Sequence, residues 1–152
     1  MTAPVVRIAG AGDAAALAAL RRAWTAEQHG DLDDEGFEAR FLDWYERESA
    51  HRVSWLAEAS GACVGMMNLA VFDRMPQPGR DQRSWGYLAN AFVLAPYRSQ
   101  GIGSLLLRAL LAHADDHRYV RVVLSPSERS VPFYQRFGFS GDNGLLVRHR
   151  TA

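Results

Sequence analysis

The chain has 152 residues, 48% of them hydrophobic and 22% charged, which suits one soluble globular domain with a sizeable core. Seventeen basic residues balance seventeen acidic ones, so no global field recruits nucleic acid or a membrane surface. No apolar run approaches the roughly 20 residues of a membrane span, MTAPVVRIAGAG does not read as a secretion signal, and Cys63 is the single cysteine, so a reducing, cytoplasmic home is the expectation.

In chain order, VVRIA (5–9) is short and β-branched and reads as a strand. Asp13 is placed to cap a helix through AAALAALRRAWTAEQ. A second helix is expected over 34–48, where Phe37, Phe41, Trp44 and Tyr45 share one face. That stripe suits the core, or the wall of a binding site. VSWLAEA and CVGMMNLAVF are strands joined by Ser60-Gly61, a hairpin signal. The stretch 73–84, with two prolines and several charges, is a loop. GYLANAFVL (86–94) is the next strand and runs into APYRSQGIGSLLLRAL. The helix after Gly103 turns Leu106, Leu107, Leu110, Leu111 and Ala114 to the core. YVRVVLS (119–125) predicts a strong strand, VPFYQRFGF (131–139) a short helix ending near Gly138, and LLVRHR a last strand. Strands and helices mixed around one sheet predict a single α/β domain over residues 1–152.

Two glycine-rich turns follow strands and open helices. GAGDAA (10–15) resembles the start of a dinucleotide-binding turn, but that motif needs a second strand ending in an acid about 20 residues on. EQHGDLDDEGFEARF stands there instead, acidic and then helical, so a plain capped turn explains these glycines. RSQGIGS lacks the Gly-Lys-Ser/Thr ending of a nucleoside-triphosphate loop and has Leu106 where a third dinucleotide glycine would fall. What remains is Arg98-x-x-Gly101-x-Gly103 between a strand and a long helix. The first N–H groups of a helix lack internal partners and carry partial positive charge, so a phosphate suits them if no side chain blocks it. Arg98 stands nearby as a cationic contact. Purely structural glycines would produce the same spacing.

Residues 85–139, taken together, resemble the GNAT superfamily of acetyl-CoA-dependent N-acetyltransferases. AFVLAPYRSQGIGSLLLRALL is similar to the family's Gln/Arg-x-x-Gly-x-Gly/Ala motif after a strand. VVLSPSERSVPFYQRFGF resembles its second signature, a strand, a loop and a helix ending Tyr-x-x-x-Gly-Phe, here Tyr134, Gly138 and Phe139. The resemblance implies a mostly antiparallel sheet, flanked by about four helices, that splays between its fourth and fifth strands to admit acetyl-CoA. By position, Ser99, Gln100, Gly101, Ile102, Gly103 and Ser104 would offer backbone N–H groups to pyrophosphate. Ala91, Phe92 and Val93 would run beside the pantetheine arm, and Ser127 takes a slot where many members carry asparagine. Tyr134 would be the general acid: a phenol of pKa near 10 can protonate a leaving thiolate whose acid has pKa about 8.5. A tyrosine packed in the core beside Phe133 and Phe137 is the plainer alternative.

The implied activity is direct transfer of an acetyl group to a primary amine on a small molecule or peptide, in a ternary complex, without a metal. A cofactor-binding protein of the same fold without turnover, and a dinucleotide-dependent oxidoreductase built on GAGDAA, are the competing classes. A homodimer is expected from the family's habit. Tyr87 and Val122 occupy the positions where some members place a glutamate base, so no base is assigned. Glu58 and Asp73 are the nearest acids along the chain, and Asn90 is suited only to orienting a water. Cys63 reads as a small hydrophobe rather than an acyl carrier. His113 and His117 suit a helix C-terminus better than a metal. DLDDEGFE is a solvated helix start or an acidic lip for a cationic acceptor.

Overall fold

The computed structural model describes residues 3–141 and 144–150. Five strands form one sheet in the order β1-β2-β3-β4-β5. β1 (Val5–Ile8) pairs antiparallel with β2 (Arg52–Ala59), and β2 with β3 (Ala62–Asp73). Ala59 stands opposite Ala62, so Ser60 and Gly61 alone make the turn. Both take positive φ, +53° and +79°, the twist a two-residue hairpin needs. β3 pairs antiparallel with β4 (Ser84–Val93), and the loop predicted over 73–84 joins them.

β5 (Val122–Val123) lies parallel to β4 and is much shorter than the strand expected over 119–125. Only Gly86–Val122 and Tyr87–Val123 pair, after which β4 runs on to Val93 with β3 on one side and no strand on the other among the described residues. The sheet therefore splays between its fourth and fifth strands. The last strand expected at LLVRHR does not form: residues 144–150 are irregular, and Leu146 is 99% exposed. A two-residue β5 offers too few cross-strand pairs to template another strand.

Helices α1 (Ala14–His29) and α2 (Phe37–Glu48) cover one face of the sheet, and α3 (Ile102–Asp116) the other. α4 (Val131–Gln135) follows β5 and brings Tyr134 into the core beneath α3. Strand periodicity divides the core between the faces. Leu56, Met66 and Phe92 pack with Leu17 and Leu20 of α1, while Trp55, Met67, Leu69 and Leu88 pack with Leu106, Leu107 and Leu110 of α3. Leu111 only borders this second cluster.

Two helix starts depart from the expected ones. α2 begins at Phe37, because Asp34 is held by Arg40 through its carboxylate and by Arg22 through its carbonyl. Asp13 does not cap α1 with its side chain. It turns back to accept from the Gly10 N–H at 2.7 Å, closing a 3-10 turn over Ala11–Asp13, and takes both Arg7 Nη donors at 2.8 Å. The Arg7 guanidinium, helped by the Gly10 N–H, lowers the Asp13 carboxyl from 3.8 to about 2. A depressed folded value stabilises above the unfolded pKa and is lost as pH falls through the folded one. Thermal melts of Asp13→Asn should therefore lose less midpoint than wild type between about pH 4 and pH 2. Parallel curves in that window would contradict the assignment.

Gly86 marks the splay point. A Cβ there would lie 2.6 Å from Leu69 Cδ1 and 3.0 Å from its Cγ, and Leu69 is fully buried. Gly86→Ala should cost about 1–3 kcal/mol of overpacking, read by denaturant unfolding.

Candidate active site

Beyond β4, Pro96 sits in a 3-10 turn (Ala95–Tyr97), and the chain then enters α3 through two left-handed residues. Ser99 has φ +61° and Gly101, the N-cap of α3, has φ +82°. The N–H groups of Ser99, Gln100, Gly101, Ile102, Gly103 and Ser104 have no acceptor among the described residues. Helix geometry leaves the last three without partners, and the left-handed pair extends the row by three more. A cavity of about 300 Å³ opens over five of these residues, all but Gln100, and is walled also by Phe133 and Arg136.

Nothing lies within 4 Å of a Cβ built on Gly101, so its positive φ, and not crowding, requires glycine. A Cβ on Gly103 would meet the Phe133 ring at 3.7 Å. Ile102 buries its side chain in the core and offers only its N–H. Gln100 Nε2 donates to the Pro96 carbonyl at 3.1 Å. Arg98 acts as a clasp: Nε donates to the Val93 carbonyl at 2.9 Å, and Nη2 to Glu27 of α1 at 2.7 Å, which lowers the Glu27 pKa. The cation on the cavity wall that sequence reasoning missed is Arg136, two residues past Tyr134 in the Tyr-x-x-x-Gly-Phe stretch.

The free edge of β4 has its own distortion. Met66 faces Phe92 and Asn68 faces Ala89, so Asn90 and Ala91 together oppose Met67. Asn90 takes φ +55°, a bulge at a residue type that tolerates the left-handed region. Leu94 donates to Val64 of β3, so by alternation Ala91 and Val93 direct their N–H and C=O groups to the gap. Phe92 sends its ring to the opposite face, stacked on Trp24 at 5.7 Å.

Tyr134, on α4, packs into the core on the α3 side of the sheet. Its ring is wedged edge-on between Phe133 and Phe139 at 5.0 and 5.6 Å, and the residue is 9% exposed. Its hydroxyl has no hydrogen-bond partner among the described residues, while it borders a cavity of about 210 Å³ along β5. Burial pushes the phenol pKa up, so it stays protonated at neutral pH. Ser127 lies on neither wall. Its Oγ donates to Ser130 Oγ at 3.1 Å, and its carbonyl accepts from the Ser130 N–H, closing a 3-10 turn.

A third cavity, of about 200 Å³, lies between α1, α2 and the β3–β4 sheet, and Asn90 touches it. Phe37, Phe41 and Trp44 form part of its wall, while Phe41 and Tyr45 also pack against the core of this face, so the stripe serves both as lining and as core border. Two of the five acids at the start of α2 are paired, Asp34 with Arg40 at 2.7 Å and Glu38 with Arg22 at 2.8 Å. Neither sequence-adjacent acid lines this cavity: Glu58 pairs with Arg7, and Asp73 accepts from Ser84 at 2.6 Å. A polar chain does reach it. Arg52 bridges Glu48 and Asn68, both at 2.8 Å, and Asn68 donates to Ser54 at 2.6 Å. Burial raises the Cys63 thiol pKa, which disfavours the thiolate. His113 and His117 stack on each other at 3.9 Å.

The chain belongs to the acetyltransferase (GNAT) family, whose model matches residues 17–139. Among curated relatives it is similar to glucosamine 6-phosphate N-acetyltransferase of Trypanosoma brucei brucei, 30% identical over 82 residues, 54% of each chain. It is also similar to the spermine/spermidine N(1)-acetyltransferase of Bacillus subtilis, 30% identical over 89 residues, 56% of this chain and 57% of that one. These matches thus span a little over half of each curated relative. Among solved structures, a predicted acetyltransferase with acetyl-CoA from Clostridium acetobutylicum superposes with TM-score 0.78, covering 97% of this chain and 96% of that one. At 19% identity that likeness is one of fold.

Proposed function

We propose that this protein is an acetyl-CoA-dependent N-acetyltransferase that moves an acetyl group to a primary amine by direct attack in a ternary complex. The observation that carries the reading is the row of six free N–H groups, 99–104, opening beside the gap between β4 and β5. Such a row suits a pyrophosphate, because aligned N–H dipoles at a helix start favour an anion. Arg136 adds a full charge at the wall, and Arg98 holds the row in place against Val93 and Glu27. Acetyl-CoA supplies an activated thioester. The Ala91 peptide groups and the Val93 N–H, which face the gap, are suited to orienting it, while the Val93 carbonyl is held by Arg98.

Tyr134 is the general acid of this reading: its Oη holds a proton and, with no acceptor among the described residues, is free to give it to a departing thiolate. The amine comes from the other side of β4, through the cavity that touches Asn90. No side-chain base is assigned. The relatives named for glucosamine 6-phosphate and for spermine and spermidine both point to amines as acceptors. Thermal shift tests the reading. At a hundredfold excess over its Kd, acetyl-CoA should raise the melting midpoint by roughly 5–10 °C, and NAD(H) should not. The reverse pattern would favour a dinucleotide enzyme.

A further inference from the structure

We propose that the acceptor is an amine that also carries an oxyanion, a carboxylate or a phosphate, and that Arg21 recognises it. The inference rests on the acetyltransferase reading and narrows its substrate. Arg21, on α1, lines the cavity that touches Asn90. Its Nη1 is closed off from solvent, and its guanidinium has no hydrogen-bond acceptor among the described residues. The guanidinium lies over the Trp24 ring at 4.4 Å, and Trp24 stacks on Phe92 of β4 at 5.7 Å. The cation is thus braced against the strand that borders the gap.

Every other arginine near this face has a carboxylate. Arg22 pairs with Glu38, Arg40 with Asp34, Arg52 with Glu48 and Arg98 with Glu27, all at 2.7–2.8 Å. No Asp or Glu pairs with Arg21 among the described residues, and none stands on the cavity wall. A permanently charged group with a buried, unpaired N–H bears an uncompensated desolvation cost. The chain supplies no partner, so the ligand is the natural source of one. A planar guanidinium fork matches carboxylate or phosphate oxygens with two parallel bonds. By the same electrostatics a polycationic amine meets one repelling charge here and no counter-ion.

The test compares amines that differ only in the anion: O-phosphoethanolamine against ethanolamine, and glycine against glycinamide, with spermidine as the polycation. Initial rates with acetyl-CoA, and calorimetric binding of each amine in the presence of CoA, are measured for wild type, Arg21→Gln and Arg21→Lys. Wild type should favour at least one anionic member of a pair, and the favoured pair tells phosphate from carboxylate. Arg21→Gln should reduce that kcat/KM ratio by roughly 10- to 100-fold, mainly through KM, the effect of losing hydrogen bonds to a charged group. Arg21→Lys should restore part of it. Anion-selective binding that depends on Arg21, without turnover of any amine, would uphold Arg21 as the oxyanion contact and count against the acetyltransferase reading. Wild-type preference for spermidine or the neutral amines, or a ratio indifferent to Arg21, would overturn the inference and leave that reading standing.

Discussion

Tyr134→Phe should lower the single-turnover rate of acetyl transfer by roughly 10²–10⁴, the span of a positioned general acid, and leave the melting midpoint almost unchanged. The two halves of this expectation come from different parts of the side chain. The ring packs between Phe133 and Phe139 and is the same in phenylalanine, so core volume is nearly conserved. The hydroxyl bonds to no described residue, so its removal leaves no buried partner unsatisfied. What is lost is a proton that the phenol carries at neutral pH and that burial holds more tightly. Affinity for acetyl-CoA should change far less than the rate, since the proton matters as the C–S bond breaks. Single-turnover measurement keeps slow product release from masking the chemical step. An unchanged chemical rate would return Tyr134 to a purely structural role.

Gly101→Glu should weaken acetyl-CoA binding by roughly 10²-fold or more, because several charge-assisted N–H contacts are lost and a like charge is added. The Cβ meets nothing within 4 Å, so the variant has room to fold with its carboxylate over the six free N–H groups. It does carry strain: a side chain at φ +82° costs about 1–2 kcal/mol. Gly101→Ala carries the same strain without the charge. The alanine variant should therefore melt lower yet keep most of its affinity, while the glutamate variant loses both. Equal affinity in the two, measured by isothermal titration, would mean that phosphate does not sit on this helix start.

Much of this site was legible in the sequence, for reasons that differ by element. The Arg98-x-x-Gly101-x-Gly103 spacing announces a helix start because Gly101 needs a left-handed φ that other residues resist. The Ser60-Gly61 hairpin is visible for the same reason. Other features arise only in three dimensions. YLANAFV reads as an uninterrupted strand, and the bulge at Asn90 appears only when β3 and β4 are set in register. β5 is β-branched enough to predict a long strand, but its length is limited by where β4 and β5 part company after Tyr87. The aromatic stripe of α2 has the period of a core helix, yet it divides its work: Phe41 and Tyr45 pack against the core, and Phe37, Phe41 and Trp44 line a cavity. Arg21 and Arg22 are adjacent and alike in sequence, yet Arg22 meets Glu38 while Arg21 meets only an aromatic face.

The central claim is acetyl transfer, and product analysis tests it most directly. The protein is incubated with acetyl-CoA and a panel of amines, with free thiol and N-acetylated product quantified together, the latter by mass spectrometry. The account predicts one N-acetyl product per thiol released with at least one amine, and a rate that collapses in Tyr134→Phe. Saturable acetyl-CoA binding with no acetylated amine from any member of the panel would contradict it and identify a binding protein of the same fold.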